Sequence, residues 1–161
     1  MGNCQAVILA AGMGVRLNSV VQDMPKGLVE VGGQALVARS VENLRFFGID
    51  EIVLVTGYKS ELYEAFAKDK EYVILIHNDQ YLSSGNMYSF YLTRNILKGD
   101  ILLLESDVIY EKRALGEMIN SQSENGILLS GFTGAGDEVY VSATDGRVDG
   151  ISKHKDVVNC V

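Results

Sequence analysis

Leu9-Ala10-Ala11-Gly12-Met13-Gly14-Val15-Arg16-Leu17, followed by Pro25-Lys26, combines a glycine loop with two cations of fixed spacing. Glycines 12 and 14 can take positive φ and carry no side chain, so backbone N–H groups around them can converge on phosphate oxygens. Arg16 and Lys26 can supply counter-charge, and Pro25 fixes the backbone just before the lysine. Neither familiar glycine fingerprint is present. GxGxxG would need glycine where Leu17 stands, and no Lys-Ser/Thr pair follows the glycines at P-loop spacing. These residues alone also permit a plainer reading, a turn joining strand to helix with Arg16 and Lys26 as solvated charges.

The charge balance of the chain bears on that choice. With 14 Lys and Arg against 21 Asp and Glu, the net charge of -7 argues against nucleic-acid or anionic-membrane surfaces, which bind through clustered cations. An anionic ligand must then be held by cations placed one at a time. A chain of 161 residues, 47% hydrophobic and 22% charged, suits a single soluble globular domain. Cys4 and Cys160 lie outside any metal-ligand spacing, no basic leader precedes the first strand, and no apolar run approaches the ~20 residues that span a bilayer. A cytoplasmic protein with reduced thiols is expected.

Continuous β-branched runs at Ala6 to Leu9, Ile52 to Val55, Tyr72 to Ile76 and Ile101 to Leu104 predict strands buried on both faces. Helical patterns lie between and after them, at Leu36 to Phe47, Glu61 to Ala67, Met87 to Leu97 and Lys112 to Ser121. Alternation of this kind predicts an α/β fold, a doubly wound, mostly parallel (mixed) sheet flanked by helices. In such sheets the loop after the first strand is the usual phosphate cradle, the place that Ala10 to Gly14 occupies. Ile127 to Phe132 is a fifth apolar run, and Thr144-Asp145-Gly146 between two further runs predicts a C-terminal β-hairpin.

Leu9 to Leu17 with Pro25-Lys26 resembles the signature of the nucleotidyltransferase family that makes nucleotide sugars and CDP-activated alcohols. The resemblance covers most of the chain: Phe47-Gly48-Ile49-Asp50-Glu51-Ile52 and Val55-Thr56-Gly57-Tyr58 match the second strand and its turn. Asn78-Asp79-Gln80-Tyr81 and Gly85-Asn86-Met87-Tyr88-Ser89-Phe90-Tyr91 resemble the branch of phosphocholine and 2-aminoethylphosphonate cytidylyltransferases. Pro25-Lys26-Gly27 departs from the Pro-Lys-Pro of many members.

The resemblance implies a Rossmann-like nucleotidyltransferase fold and transfer of a nucleotidyl group, from CTP above other NTPs, to a small phosphorylated or phosphonate acceptor. It implies that Leu9, Ala10, Ala11, Gly12, Met13 and Gly14 wrap the nucleotide, with Gly85 and Asn86 near its base or ribose. Arg16 would hold the leaving phosphates, Lys26 the charge near the α-phosphate, and Asp107, at the end of the fourth strand, Mg²⁺. Ser83 or Ser84 is equally readable as a plain helix cap. Tyr88, with Tyr81, Phe90 and Tyr91, could enclose a substrate ammonium, although aromatics at this spacing also build cores. Glu105, Asp137 and Glu138 could pair with that ammonium or be solvated carboxylates. Lys153 falls where members place a lysine facing the acceptor phosphate, and it is also readable as a surface charge. Members typically continue past position 161 and supply a second metal-binding aspartate from a later strand. The chain is therefore expected to be one nucleotidyltransferase domain lacking its C-terminal portion, with exposed apolar surface that favours homo-oligomers. Two other readings remain, a sugar-1-phosphate nucleotidyltransferase and a nucleotide-binding module without turnover.

Overall fold

The computed structural model describes residues 4–14, 23–131, 134, 136 and 138–157. The chain divides into two compact units, Met1–Ser121 and Gln122–Val161.

In the first unit the β-branched runs become β1 (Cys4–Ala10), β4 (Ile52–Thr56), β5 (Val73–His77) and β6 (Asp100–Glu105), all parallel, in the order β5-β4-β1-β6. Between β1 and β4 the chain forms a short hairpin of β2 (Glu30–Val31) and β3 (Gln34–Ala35). Gly32 and Gly33, with φ of 63° and 77°, turn it; a Gly-Gly pair is the hairpin signal that the sequence reading passed over. Helices α1 (Leu36–Phe46), α2 (Ser60–Ala67), α3 (Asn86–Leu92) and α4 (Lys112–Asn120) complete the alternation.

The inner strands β1 and β4 are covered on both faces, whereas the outer strands β5 and β6 are buried less than the sequence predicts, with Ile74, Ile101 and Leu103 exposed, because an edge strand has a sheet neighbour on one side only. Ala6, Ile8 and Ala10 of β1 and Ile52 and Leu54 of β4 pack with Val37, Val41 and Leu44 of α1, Tyr63 of α2 and Leu115 of α4. The alternate residues Val7, Leu9, Val53 and Val55 face Phe90, Ile96 and Leu97. This two-sided burial explains why β1 and β4 are continuously apolar instead of alternating. Each fully buried Val, Leu or Ile contributes about 1.5–3 kcal/mol over an exposed one.

Helix α1 buries Val37, Val41 and Leu44 at helical spacing and stops at Gly48, whose φ of 78° suits the left-handed helix stop. Ile49 N–H then closes back on Leu44 O at 3.1 Å. At the opposite end of the sheet Gln5, 2% exposed, donates to Glu51 at 2.6 Å and to Ile96 O at 3.3 Å, and accepts from Lys98 N–H. Its three bonds satisfy a buried amide and pin two connections to the start of β1.

The second unit contains the expected hairpin, β7 (Tyr140–Thr144) and β8 (Arg147–Ser152), antiparallel. Asp145 and Gly146 both have positive φ, 50° and 74°, as a two-residue primed turn requires. Asp149 accepts from the Ser142 and Thr144 hydroxyls, both at 2.5 Å, and these bonds hold its carboxyl below the usual range. The apolar run that begins at Ile127 is different. Its described part, residues 127–131, is exposed and forms no strand, because an apolar run becomes a strand only where another backbone pairs with it.

Candidate functional site

Parallel register brings the carboxyl ends of three strands together: Ala10 is opposite Thr56, and Leu9 is opposite Glu105. Leu9 and Ala10 are 5% and 4% exposed and their side chains lie in the two halves of the core. Only backbone remains at these positions for a ligand. Ala11 O accepts from Tyr58 N–H at 3.0 Å, and a Cβ on Gly57 would stand 2.7 Å from that same oxygen. Gly57 therefore lets the turn after β4 lie directly against the glycine loop. Within the loop only Gly14 has positive φ, 63°; Gly12 does not, so the expected freedom is used once.

A Cβ on Gly14 would meet Lys26 Cγ at 2.4 Å and Cε at 2.9 Å, so the lysine stem crosses the glycine and carries its ammonium over the loop. Lys26 Nζ reaches Asp107 Oδ2 at 3.1 Å across 81 positions of sequence. Both side chains stay partly open to solvent, at 24% and 35%. The sequence reading assigned these two residues separate roles, and the fold makes them neighbours. Pro25 is buried at φ -59° and Lys26–Leu28 is a single 3-10 turn, closed by Leu28 N–H on Pro25 O at 2.9 Å. On the other side Ser106 N–H donates to Leu9 O at 3.1 Å, fixing the turn that presents Asp107.

The departure at Gly27 now has a physical reason. A Cβ there would come within 2.8 Å of Tyr63 Oη and 2.9 Å of Ser106 Cβ, so neither proline nor alanine fits. Tyr63 is 1% exposed. Burial pushes its hydroxyl up to about 12, against hydrogen bonds from the Gly27 backbone and the Ser106 side chain, while the Asp107 charge pushes the same way as burial. Upstream, Asp23 at φ 64° is held by Lys59, whose Nζ donates to Asp23 O at 2.8 Å and pairs with its Oδ1 at 3.2 Å.

Asn86 opens α3 and donates from Nδ2 to Glu105 Oε1 at 2.8 Å. Desolvation, then the Asp107 carboxylate, raise the Glu105 carboxyl above its ordinary range, and the Asn86 amide works against them. Neither Ser83 nor Ser84 caps the helix. Gly85 holds the cap position with no side-chain bond, and Ser84 Oγ instead accepts from Asn78 Nδ2 at 3.0 Å. Asn78, 1% exposed, also donates to Ser89 Oγ at 2.9 Å and accepts from Gln80 N–H at 2.9 Å, which folds 78–85 into a fixed approach to Gly85. The reading assigned Asn78 no role, though an Asn directly after a strand is a turn signal with its own side-chain bond.

The four aromatics do not form one cage. Phe90 packs into the core and Tyr81 stands 6.4 Å from Tyr58, whereas Tyr88 lies 6.4 Å from Tyr91, over which Arg94 sits at 3.9 Å. Of the set, Tyr88 and Tyr91 are the pair that stand together on α3. Lys153 is exposed just after β8 in the second unit, where Glu138 also lies and its carboxylate accepts from Gly136 N–H at 2.9 Å. Arg16 and Asp137 lie outside the described residues.

Among the described residues no three His, Cys, Asp or Glu side chains gather as a metal cage. Asp107 offers one accessible hard-oxygen ligand with Glu105 two residues before it, a donor set that suits Mg²⁺ when substrate phosphates supply further oxygens.

A parallel α/β sheet whose first strand ends in a glycine turn, with a lysine and an aspartate meeting over it, has the design of a nucleotide-phosphate site. Residues 6–146 match the family model described as the MobA-like NTP transferase domain, and the chain belongs to that family. It is 32% identical over 117 residues to a choline-phosphate cytidylyltransferase of Streptococcus pneumoniae, covering 73% of this chain and 51% of the relative. A UTP–glucose-1-phosphate uridylyltransferase of Haloferax volcanii is 32% identical over 123 residues, 75% of this chain and 50% of that protein. The solved inositol-1-phosphate CTP transferase from T. maritima superposes with a TM-score of 0.78 at 26% identity, covering 96% of this chain and 66% of the other. The chain thus spans about half the length of the curated relatives it matches.

Proposed function

We propose that the chain carries a nucleotidyl-transfer site that moves a cytidylyl group from CTP to a small phosphorylated or phosphonate acceptor and releases pyrophosphate. The observation that carries this reading is the meeting of Lys26 and Asp107 over the glycine loop, 3.1 Å apart. The similarity to a choline-phosphate cytidylyltransferase supports the choice of base and acceptor.

In the reaction an acceptor phosphate or phosphonate oxygen donates a lone pair to the α-phosphorus. The bond from that phosphorus to the bridging oxygen breaks, and its electrons leave on pyrophosphate. The nucleophile is already ionised at neutral pH, so no protein base is required, and the protein's work is alignment and charge neutralisation. Backbone at Ala10 to Gly14 holds the nucleotide. The Lys26 ammonium, steered over Gly14 by its own stem, stabilises charge gathering on the α-phosphate oxygens. Arg16, which follows the loop in sequence, neutralises the departing phosphates. Gly85 and Asn86 bound the nucleoside, the Asn86 amide being oriented by Glu105. Tyr88, with Tyr91, offers a face to an acceptor ammonium. Asp107 would hold Mg²⁺, which when bound offsets negative charge on phosphate oxygens and helps orient them.

The test is pyrophosphate release by the purified chain with Mg²⁺, CTP and phosphocholine or 2-aminoethylphosphonate, beside UTP or dTTP with glucose-1-phosphate. Release with CTP and an amine-bearing acceptor is expected. Release only with the sugar phosphate would replace the acceptor assignment, and nucleotide binding with no release in any arm would leave a binding module.

A further inference from the structure

Lys26 and Asp107 are long or solvent-facing side chains on two separate turns, yet transfer chemistry depends on placement finer than 1 Å. Something must hold the turns at a fixed separation. Each charged residue adjoins a buried one: Gly27 follows Lys26, and Ser106 precedes Asp107, with Ser106 6% exposed. The atom that reaches both buried neighbours is Tyr63 Oη. It fills the space a Gly27 Cβ would need, at 2.8 Å, and a Ser106 carbon borders that same space at 2.9 Å.

We propose that Tyr63 is a positioning residue, whose hydroxyl ties the Gly27 backbone to the Ser106 side chain and thereby sets the distance between Lys26 and Asp107. The inference rests on the transfer reading of those two residues. It assigns no contact with substrate to Tyr63 itself, which is shut in the core. The phenol is well suited to the task because its ring is locked among the buried residues of α1, α4 and the sheet, leaving its tip no freedom to drift. Glycine at position 27 and tyrosine at position 63 are then a matched pair. The connection that leads into α2 braces the same segment from its other end, since Lys59 grips Asp23.

The experiment uses the full chain with Tyr63→Phe, which keeps the ring, and Ser106→Ala, which removes the other partner. Two readouts are taken: steady-state CTP kinetics, and hydrogen exchange of the Gly27 amide by NMR. Both variants should lose about tenfold in kcat with KM for CTP changed less than about twofold, because alignment is lost and nucleotide binding is not. Gly27 amide exchange should quicken by about fivefold, the worth of one net hydrogen bond. Val41→Ala, a remote cavity in the same core, is the control for simple destabilisation. Wild-type kcat and wild-type Gly27 exchange in Tyr63→Phe would overturn the proposal, and so would the same split in Val41→Ala. Gly27→Ala should be partly rescued by adding Tyr63→Phe, and equal activity of the single and double variants would also count against the pairing. If the unaltered chain releases no pyrophosphate in any arm, the transfer reading fails, while the Gly27 exchange measurement still decides whether the tether exists.

Discussion

β1 has two neighbours, paired with it in parallel, and they are built differently. On one side every residue of β4 is buried; on the other, β6 exposes four of its six residues, Leu103 at 50% among them. Yet the exposed flank carries Glu105, Ser106 and Asp107 at its end, and the buried flank carries Gly57 and Tyr58, which press against the loop backbone. One side of β1 supplies rigidity and the other supplies charge. A carboxylate intended for a metal or a lysine must stay hydrated enough to remain ionised, so it belongs on the open flank. Backbone that must not move belongs on the closed one.

The sharpest way to break this comparison is to cut a buried side chain on the closed flank and the charged pair at the open one. Leu54→Ala in β4 should lower unfolding free energy by about 2–5 kcal/mol, a large share of the stability of a domain this size, as read from the urea midpoint. At the end of the open flank, where Asp107 meets Lys26, the large effects should be on rate. Lys26→Ala and Asp107→Asn should each reduce pyrophosphate release by about 100-fold while leaving the urea midpoint nearly unchanged. Equal losses of stability from Leu54→Ala and Asp107→Asn would erase the distinction.

A pH series refines it. Tyr63, buried beneath the junction of both flanks, has its hydroxyl raised from an ordinary 10.0 to about 12, so folding favours its neutral form. Its contribution is whole below pH 10 and is lost as pH climbs towards 12, because unfolding releases the proton more readily. Wild type should therefore lose stability more steeply than Tyr63→Phe across that window, measured by denaturant midpoints at matched pH. The smallest effect should come from Leu103→Ser on β6, within about 0.5 kcal/mol because the residue is already half in water.

Much of the architecture was legible from period and composition. The continuous runs announced β1, β4, β5 and β6, and the structure shifts their limits by only a residue or two; the burial on both faces that they also announced holds along β1 and β4 and fails on the outer strands, where Ile74, Ile101 and Leu103 are exposed. Asp145-Gly146 announced its hairpin through the one dihedral habit that glycine and aspartate share. The stretch from Ile127, equally apolar, forms no strand over 127–131, because apolarity reports a wish for burial and says nothing of whether a partner strand stands beside it. At the site, the glycine loop, Lys26 and Asp107 were visible as types at spacings. Their 3.1 Å meeting was not, since no local pattern encodes a contact across 81 positions. Tyr63 was invisible for the opposite reason: an aromatic on the apolar side of a short helix looks like any core residue, and only the glycine beneath its hydroxyl marks it.

The pairing of β1 with β6 has a consequence in time. Cys4 is matched to Asp100, and Leu9 to Glu105, so β1 must wait for nearly a hundred further residues to be synthesised before its second neighbour exists. β4 can join it much sooner. Pairings so distant in sequence are slow to close, and an unpaired strand edge is where nascent chains stick to one another. The closed flank of β1 can therefore form early in synthesis, while the flank that bears the carboxylates arrives late, and the chain passes through an interval in which it has a core and no complete site.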